Sequence, residues 1–268
     1  MRGRRIIISL ISIMLLLTPI ILIKNRIAKA DHISNTLNIH PSTDSVINIA
    51  IIGDSWAYYA SERGLCTTLD GLFLEKGIKT LTKNSGVPGA RSKDIYNYLL
   101  SPEKTIHPIR NLIESGTNYA ILFCGINDQN GQYGPDFYSY HTLNIMALLV
   151  EAGITPIYIE LPEWNIKELY EKYDLWRYSC YKLLCGITSK QFDETATTNI
   201  YRQAFYDKLN QSAIKDHIIF IKWEDIKSDN IWADDLHLNE TGYHRLAEVI
   251  TASTTFCICT FHDRCSTV

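Results

Sequence analysis

From Ile47 onward the chain alternates short apolar runs with longer amphipathic stretches. The runs at 47–52, 78–82, 119–124, 154–160 and 217–222 read as strands, and the stretches around 60–76, 92–100, 138–152, 196–212 and 240–252 read as helices. Tyr119 to Cys124 contains no polar alternation, the pattern of a strand covered on both faces in a parallel sheet. Strand and helix in regular alternation predict a three-layer α/β/α sandwich with a mainly parallel central sheet. Residues 161–193 form the largest insertion in this pattern. They carry Trp164, Tyr170, Tyr173, Trp176, Tyr178 and Tyr181, which suit either stacking on a sugar or acyl group or the packing of a helical excursion.

The first thirty residues follow a different rule. Arg2, Arg4 and Arg5 precede eighteen uncharged residues, Ile6 to Ile23. As a helix that stretch reaches roughly 27 Å, close to the hydrocarbon thickness of a bilayer. Two readings stay open: an uncleaved membrane anchor, favoured by the length of the apolar core, and a signal peptide cleaved at Ala28-Lys29-Ala30. Both place the rest of the chain on the extracytoplasmic side, membrane-anchored in one case and periplasmic or secreted in the other. Residues 31–45, with His40, Pro41 and several Ser, Thr and Asn, read as a polar linker, and 46–268 as a single catalytic domain with a Cys-rich tail.

Charge narrows the partners. The whole chain has 26 basic and 29 acidic residues; the first thirty positions hold six basic and no acidic, leaving 20 against 29, a formal charge of −9. An acidic domain without a basic stripe argues against nucleic acid. Seven cysteines suit an oxidising compartment. Cys124 lies within a strand and reads as a buried thiol. Cys180 and Cys185 bracket a short loop and predict one bridge, while Cys257, Cys259 and Cys265 predict at least one more in the tail, with Cys66 far upstream and connectivity open. A zinc site from the tail cysteines has no standard ligand spacing behind it.

Candidate chemistry begins at Gly53-Asp54-Ser55-Trp56, directly after the first apolar run. A serine on a glycine-containing turn at the mouth of a buried strand is exposed on a rigid scaffold, as a nucleophile must be, although Gly-Asp-Ser is also ordinary turn chemistry. Three further segments stand after strands or before a helix: Asn84 to Ala90 with Gly86 and Gly89, Gly125-Ile126-Asn127-Asp128, and Asp234-Asp235-Leu236-His237-Leu238-Asn239. A serine hydroxyl needs a base near neutrality, which His237 supplies, and an acid three residues earlier can turn back to hold the other ring nitrogen. Asp234 has that spacing and Asp235 competes. Asn127 offers a neutral donor for a developing oxyanion, and a glycine amide another. Each segment also has a plainer reading. Asn127 and Asp128 suit a turn, and the glycines suit special backbone angles. Asp234, Asp235 and His237 suit the cap of a helix starting near Glu240, or a metal site with His244. No Gly-x-Ser-x-Gly elbow, Walker A sequence, dinucleotide fingerprint or His-Glu-x-x-His helix is present in the sequence, so no metal and no organic cofactor are expected.

In this order the four segments resemble the signature blocks of the SGNH/GDSL hydrolase superfamily, over roughly residues 46–253. The resemblance implies a flavodoxin-like sandwich and an ester hydrolase. It makes Ser55 the nucleophile and an oxyanion-hole donor, Gly89 and Asn127 further donors with Gly86 the near alternative, His237 the base and Asp234 its orienting acid. Where the family often has Leu after the serine, this chain has Trp56, which is expected to narrow the pocket. The implied substrate is a small-molecule or carbohydrate ester, including O-acetyl groups. An O-acyltransferase with the same triad, or a catalytically idle carbohydrate-binding or surface-assembly module, are the alternative functions.

Overall fold

A computed structural model describes residues 46–101, 107–131, 133–163 and 197–265, with the backbone alone beyond 255, and isolated positions elsewhere, among them 28–30 and 37–39. The apolar runs form five strands: β1 (Ile47–Gly53), β2 (Thr80–Gly86), β3 (Tyr119–Phe123), β4 (Thr155–Ile159) and β5 (Ile219–Ile221). They pair in the order β2-β1-β3-β4-β5, every pair parallel. β1 and β3, central and covered on both faces, bury Ile49 to Ile52 and Tyr119 to Phe123, which explains their unbroken apolar sequence.

Parallel neighbours need crossovers, and these are helical. The helices are α1 (Ser55–Tyr59), α2 (Leu65–Glu75), α3 (Ser92–Leu100), α4 (Pro108–Glu114), α5 (Ile126–Asn130), α6 (Pro135–Glu151), α7 (Thr198–Asn210), α8 (Trp223–Ile226) and α9 (Glu240–Cys265). α6 packs on α3 and α7, and α9 packs on α2 and α8, so helices flank the sheet as two layers. The expected α/β/α sandwich is the observed one.

Several boundaries differ from the sequence reading. β2 runs to Gly86 rather than ending near residue 82. Its outer side is an open edge, so Lys83, Asn84 and Ser85 pair with β1 on one side without being buried. Asp70 on α2 holds this edge through the hydroxyls of Thr80 and Thr82, at 2.7 and 2.6 Å. The helix expected over 60–76 starts only at Leu65, as α2, after a turn over 60–64 that separates it from α1 and in which Gly64 adopts φ +81°. α6 starts at Pro135, α9 reaches Cys265, and α4 was absent from the pattern altogether, being only seven residues long.

Residues before the sheet also touch the helices that flank it. The Ala30 N–H donates to His141 Nε2 at 3.0 Å, and the Lys93 ammonium donates to Ala28 O at 2.7 Å. Leu37 is buried and the Asn38 N–H reaches Glu114 Oε1. His141 is fully enclosed; burial pushes its pKa down to about 4, so it is neutral, with Nδ1–H donating to Phe137 O at 2.7 Å. Residues 1–27, Thr18 apart, lie outside the described residues, as does most of the 161–193 insertion and its aromatic side chains other than Trp176, which is exposed. Among the described residues no helix is long and apolar enough to cross a membrane. Cys66, Cys124 and Cys180 are free thiols, the first two buried, as expected for Cys124, whereas the bridge expected from Cys180 to Cys185 is not formed; Cys185 and the tail cysteine side chains lie outside the described residues.

Candidate active site

In an open parallel sheet the carboxyl ends of the strands form one edge, and ligands gather where successive connections leave in opposite directions. Here β1 connects outward to β2, and β2 crosses back to β3 on the other side of β1. Ser55 follows β1 and Asn127 follows β3, so both stand at that divide.

The turn that carries Ser55 is dictated by close packing. Gly53 has φ +146°, and a Cβ there would lie 1.9 Å from Phe123 O. The chain then reverses into α1, capped by Asp54, whose Oδ1 accepts the Trp56 N–H at 3.0 Å. The second carboxylate oxygen of Asp54 is buried without a hydrogen-bond partner. Burial, reinforced by nearby Asp128, pushes its pKa up to about 7 against the pull of the capping bond. Asn84 on β2 holds the other end of α1, donating to Ala57 O at 2.7 Å and Tyr58 O at 3.1 Å.

Ser55 Oγ lies 3.0 Å from His237 Nε2 across 182 positions of sequence. The other ring nitrogen, Nδ1, is 2.9 Å from Asp234 Oδ2 and 3.1 Å from Oδ1. Asp234 Oδ1 also accepts the Leu236 and His237 backbone N–H groups, each at 2.7 Å. Partial burial works against the Asp234 anion, but the hydrogen bonds from the His237 ring and from these two amides outweigh it and hold the carboxyl below its ordinary range. Asp235 is exposed, and the carboxylate facing the ring is that of Asp234. Neither aspartate caps α9. Asn239 does so, its Oδ1 accepting the Gly242 N–H at 2.9 Å while its Nδ2 ties down Asn230 O and Trp232 O.

The two candidate glycines separate cleanly. At Gly86 a Cβ would strike Tyr58 N at 2.2 Å and Asp54 O at 2.5 Å, so Gly86 serves the close approach of α1 to β2. Gly89 has φ +79° with open space where a Cβ would be, on the exposed turn after β2. Asn127 Nδ2 donates to Ala90 O at 2.9 Å, linking the segment after β3 to that turn and leaving a second amide hydrogen for a ligand. Beneath them, buried Asp128 accepts the Ser92 N–H at 2.9 Å and the Ser92 hydroxyl at 2.6 Å. Burial raises the Asp128 pKa to about 6, the Ser92 bonds opposing the rise.

Trp56 does not narrow the cleft. Its ring is 2 % exposed and turned into the interior among Phe123, Trp223 and Trp232. The aromatic side chain that faces the base is Tyr59, edge-on to the His237 ring at 5.5 Å and itself covered by the Arg63 guanidinium. Sequence reasoning passed over Tyr59, Ser92 and Asn239; of these, only Asn239, an Asn directly before a helical stretch, carried a local signal. Among the described residues no group of three metal-ligating side chains occurs, His244 pairing instead with Glu248 at 3.6 Å.

No family model matches the sequence, and no curated protein matches it. Solved structures do. The psychrotrophic esterase EstA from Pseudoalteromonas sp., in a structure inhibited by monoethylphosphonate, superposes with a TM-score of 0.54 at 15% identity, covering 80% of this chain and 99% of that one. A protein assigned to the lipolytic G-D-S-L family from Desulfitobacterium hafniense gives 0.50 at 12% identity, with coverage of 77% and 98%. This chain shares their fold. LAE5, an alpha/beta hydrolase enzyme from the metagenome of Lake Arreo, gives 0.51 at 14% identity and covers 81% and 97%. The shared fold accounts for nearly the full length of these proteins and for the sheet and helices described above.

Proposed function

We propose that this chain is a serine hydrolase of the SGNH/GDSL type, acting on acyl esters through Ser55, His237 and Asp234. The observation that carries this reading is the continuous path from Asp234 Oδ2 to His237 Nδ1 at 2.9 Å and from His237 Nε2 to Ser55 Oγ at 3.0 Å. Such a path has the geometry of a nucleophile, its base and the group orienting the base. The fold shared with an esterase supports the same reading.

In this mechanism His237 Nε2 takes the Ser55 proton as Oγ attacks the ester carbonyl carbon. Asp234 holds the proton on Nδ1 and stabilises the imidazolium. Negative charge moves to the carbonyl oxygen, where the Ser55 and Gly89 amides and the Asn127 side-chain amide are the proposed donors. The imidazolium then protonates the leaving alkoxide, and the acyl group remains on Ser55. Water, deprotonated by His237, attacks the acyl-enzyme; the collapse returns the proton to Ser55 and releases the acid. Every residue required belongs to this chain, and no cofactor enters. The narrower form of the proposal is an O-acetyl ester on carbohydrate, hydrolysed outside the cytoplasm by a domain held at a membrane through residues 1–30; the apolar run Ile6 to Ile23 supports that placement.

The test is covalent. A fluorophosphonate should label Ser55 of the wild-type protein, and Ser55→Ala should abolish both labelling and hydrolysis of short-chain acyl esters. His237→Ala should reduce both sharply, without the two losses multiplying in the double variant, because base and nucleophile act in one step. Full hydrolysis by Ser55→Ala would refute the proposal.

A further inference from the structure

Trp56 is the residue after the nucleophile, and Leu236 is the residue before the base. The Trp56 indole N–H donates to Leu236 O at 3.0 Å. Together with the 3.0 Å contact between Ser55 Oγ and His237 Nε2, this closes a small ring in which each partner of the Ser–His pair is one peptide from the same strut. The rest of Trp56 is fixed on every side. Its N–H is held by Asp54 Oδ1 at 3.0 Å, and its carbonyl accepts the buried Tyr243 hydroxyl at 2.8 Å, from α9 just beyond the base. Its ring is set against Phe123, Trp223 and Trp232, at centroid distances of 5.8, 6.0 and 6.1 Å. Leu236, by contrast, sits on a partly exposed loop beyond the sheet.

We propose that Trp56 is the positioning residue of this site, its indole N–H setting the loop of His237 at the height where Nε2 meets Ser55 Oγ. This rests on the hydrolase reading above. Misplacement of a catalytic group by about 1 Å costs on the order of 100-fold in rate. A buried indole held against Phe123 and Trp223 of the body cannot follow a drifting loop, so its N–H is a fixed reference for that segment beside the Arg63 bond to Leu238 O. Leucine at this position offers no such donor.

Trp56→Phe keeps an aromatic ring in the cluster and removes the N–H donor together with part of the ring volume, which the double variant below separates from the strut. The expected result is a kcat lower by roughly 10- to 100-fold, a KM within about twofold of wild type and a melting temperature within a few degrees. The rate of fluorophosphonate labelling at Ser55 should fall in parallel with kcat. In a His237→Ala background, Trp56→Phe should cost nothing more, since it acts through His237; a role in general packing would add its own loss there. Wild-type rates in Trp56→Phe, or losses that multiply in the double variant, overturn the proposal. Failure of the wild-type protein to be labelled at all would instead sink the hydrolase reading, so the two failures are distinguishable. If Trp56→Phe does not fold, amide and indole hydrogen exchange on the wild-type protein decides. A strongly protected Trp56 indole N–H supports the strut, and one exchanging like a free indole removes it.

Discussion

Two buried carboxyls, Asp54 and Asp128, lie beneath the candidate site, and each is raised by burial, to about 7 and about 6. Folding therefore makes these groups hold protons that the unfolded chain has already released. Between the ordinary carboxylate range and about pH 7 the unfolded state binds fewer protons, so their contribution to stability falls as pH rises and is most favourable on the acid side. Asp54→Asn isolates the larger effect, because asparagine caps a helix as well as aspartate does. The fall in melting temperature from pH 5 to pH 8 should become shallower by a few degrees, given about 2–4 °C per kcal/mol in a domain of this size. An identical slope in both proteins would mean that Asp54 keeps one protonation state throughout. At this scale the sequence was readable where chemistry is local: Asp234 reaches His237 over three positions, a spacing that favoured it while leaving Asp235 as a competitor until the family resemblance was added. The same reading misplaced Trp56, expected to narrow the pocket, because the orientation of that ring is set by Phe123, Trp223 and Trp232, residues far away in the chain.

Among the elements, the turn between β1 and α1 and the turn after β2 make opposite demands on glycine. Gly53 has no room: a Cβ would overlap Phe123 O, which belongs to the neighbouring strand and cannot move aside. Gly53→Ala is expected to yield little or no folded protein. Gly89 has room but a left-handed φ, so Gly89→Ala should fold at a cost of about 1–2 kcal/mol. Circular dichroism melts of the two variants check the contrast, and two equally stable proteins would contradict it. The elements themselves were legible in proportion to their burial. β1, β3 and β4 are continuous apolar runs because both faces are covered, and their positions agree closely with the pattern. β2 was misread at its carboxyl end because an edge strand needs no apolar face over Lys83, Asn84 and Ser85. α4 was missed because seven residues span barely two turns, too few for a period to declare itself.

Across the whole molecule, the scaffold and the site differ in how firmly they are held. Ser55 opens α1 directly after β1 and is 9 % exposed, with Gly53, Asp54 and Trp56 around it all buried. The acid and base arrive on the loop after α8, where the Asp234 side chain is 55% exposed. That loop is joined to the body through Trp56, through the Arg63 guanidinium donating to Leu238 O, and through Asn239 Oδ1 accepting the Gly242 N–H of α9. Local opening draws on regions with few buried contacts and exposed hydrogen bonds. Labelling of Ser55 by a fluorophosphonate should therefore disappear at a lower urea concentration than the far-ultraviolet signal of the sheet and helices. Coincident transitions would show the loop to be as firmly held as the core. The four sequence blocks could reveal which residues meet, since three of them stand at the carboxyl ends of β1, β2 and β3, but nothing in them records this unequal anchorage.

The short contact between Ala30 and His141 bears on a different matter, the way the domain would stand on a surface. His141 is neutral and enclosed, and the peptide N–H that fills its open lone pair belongs to the segment immediately after the apolar run. If that run is retained in a bilayer, only a few residues separate the last apolar position from a fixed point on α6. So short a tether permits little swivel. The domain would then present one aspect to its surroundings rather than sample many, and which ester bonds it meets would be decided by the height and tilt of its mounting as much as by the shape of its cleft.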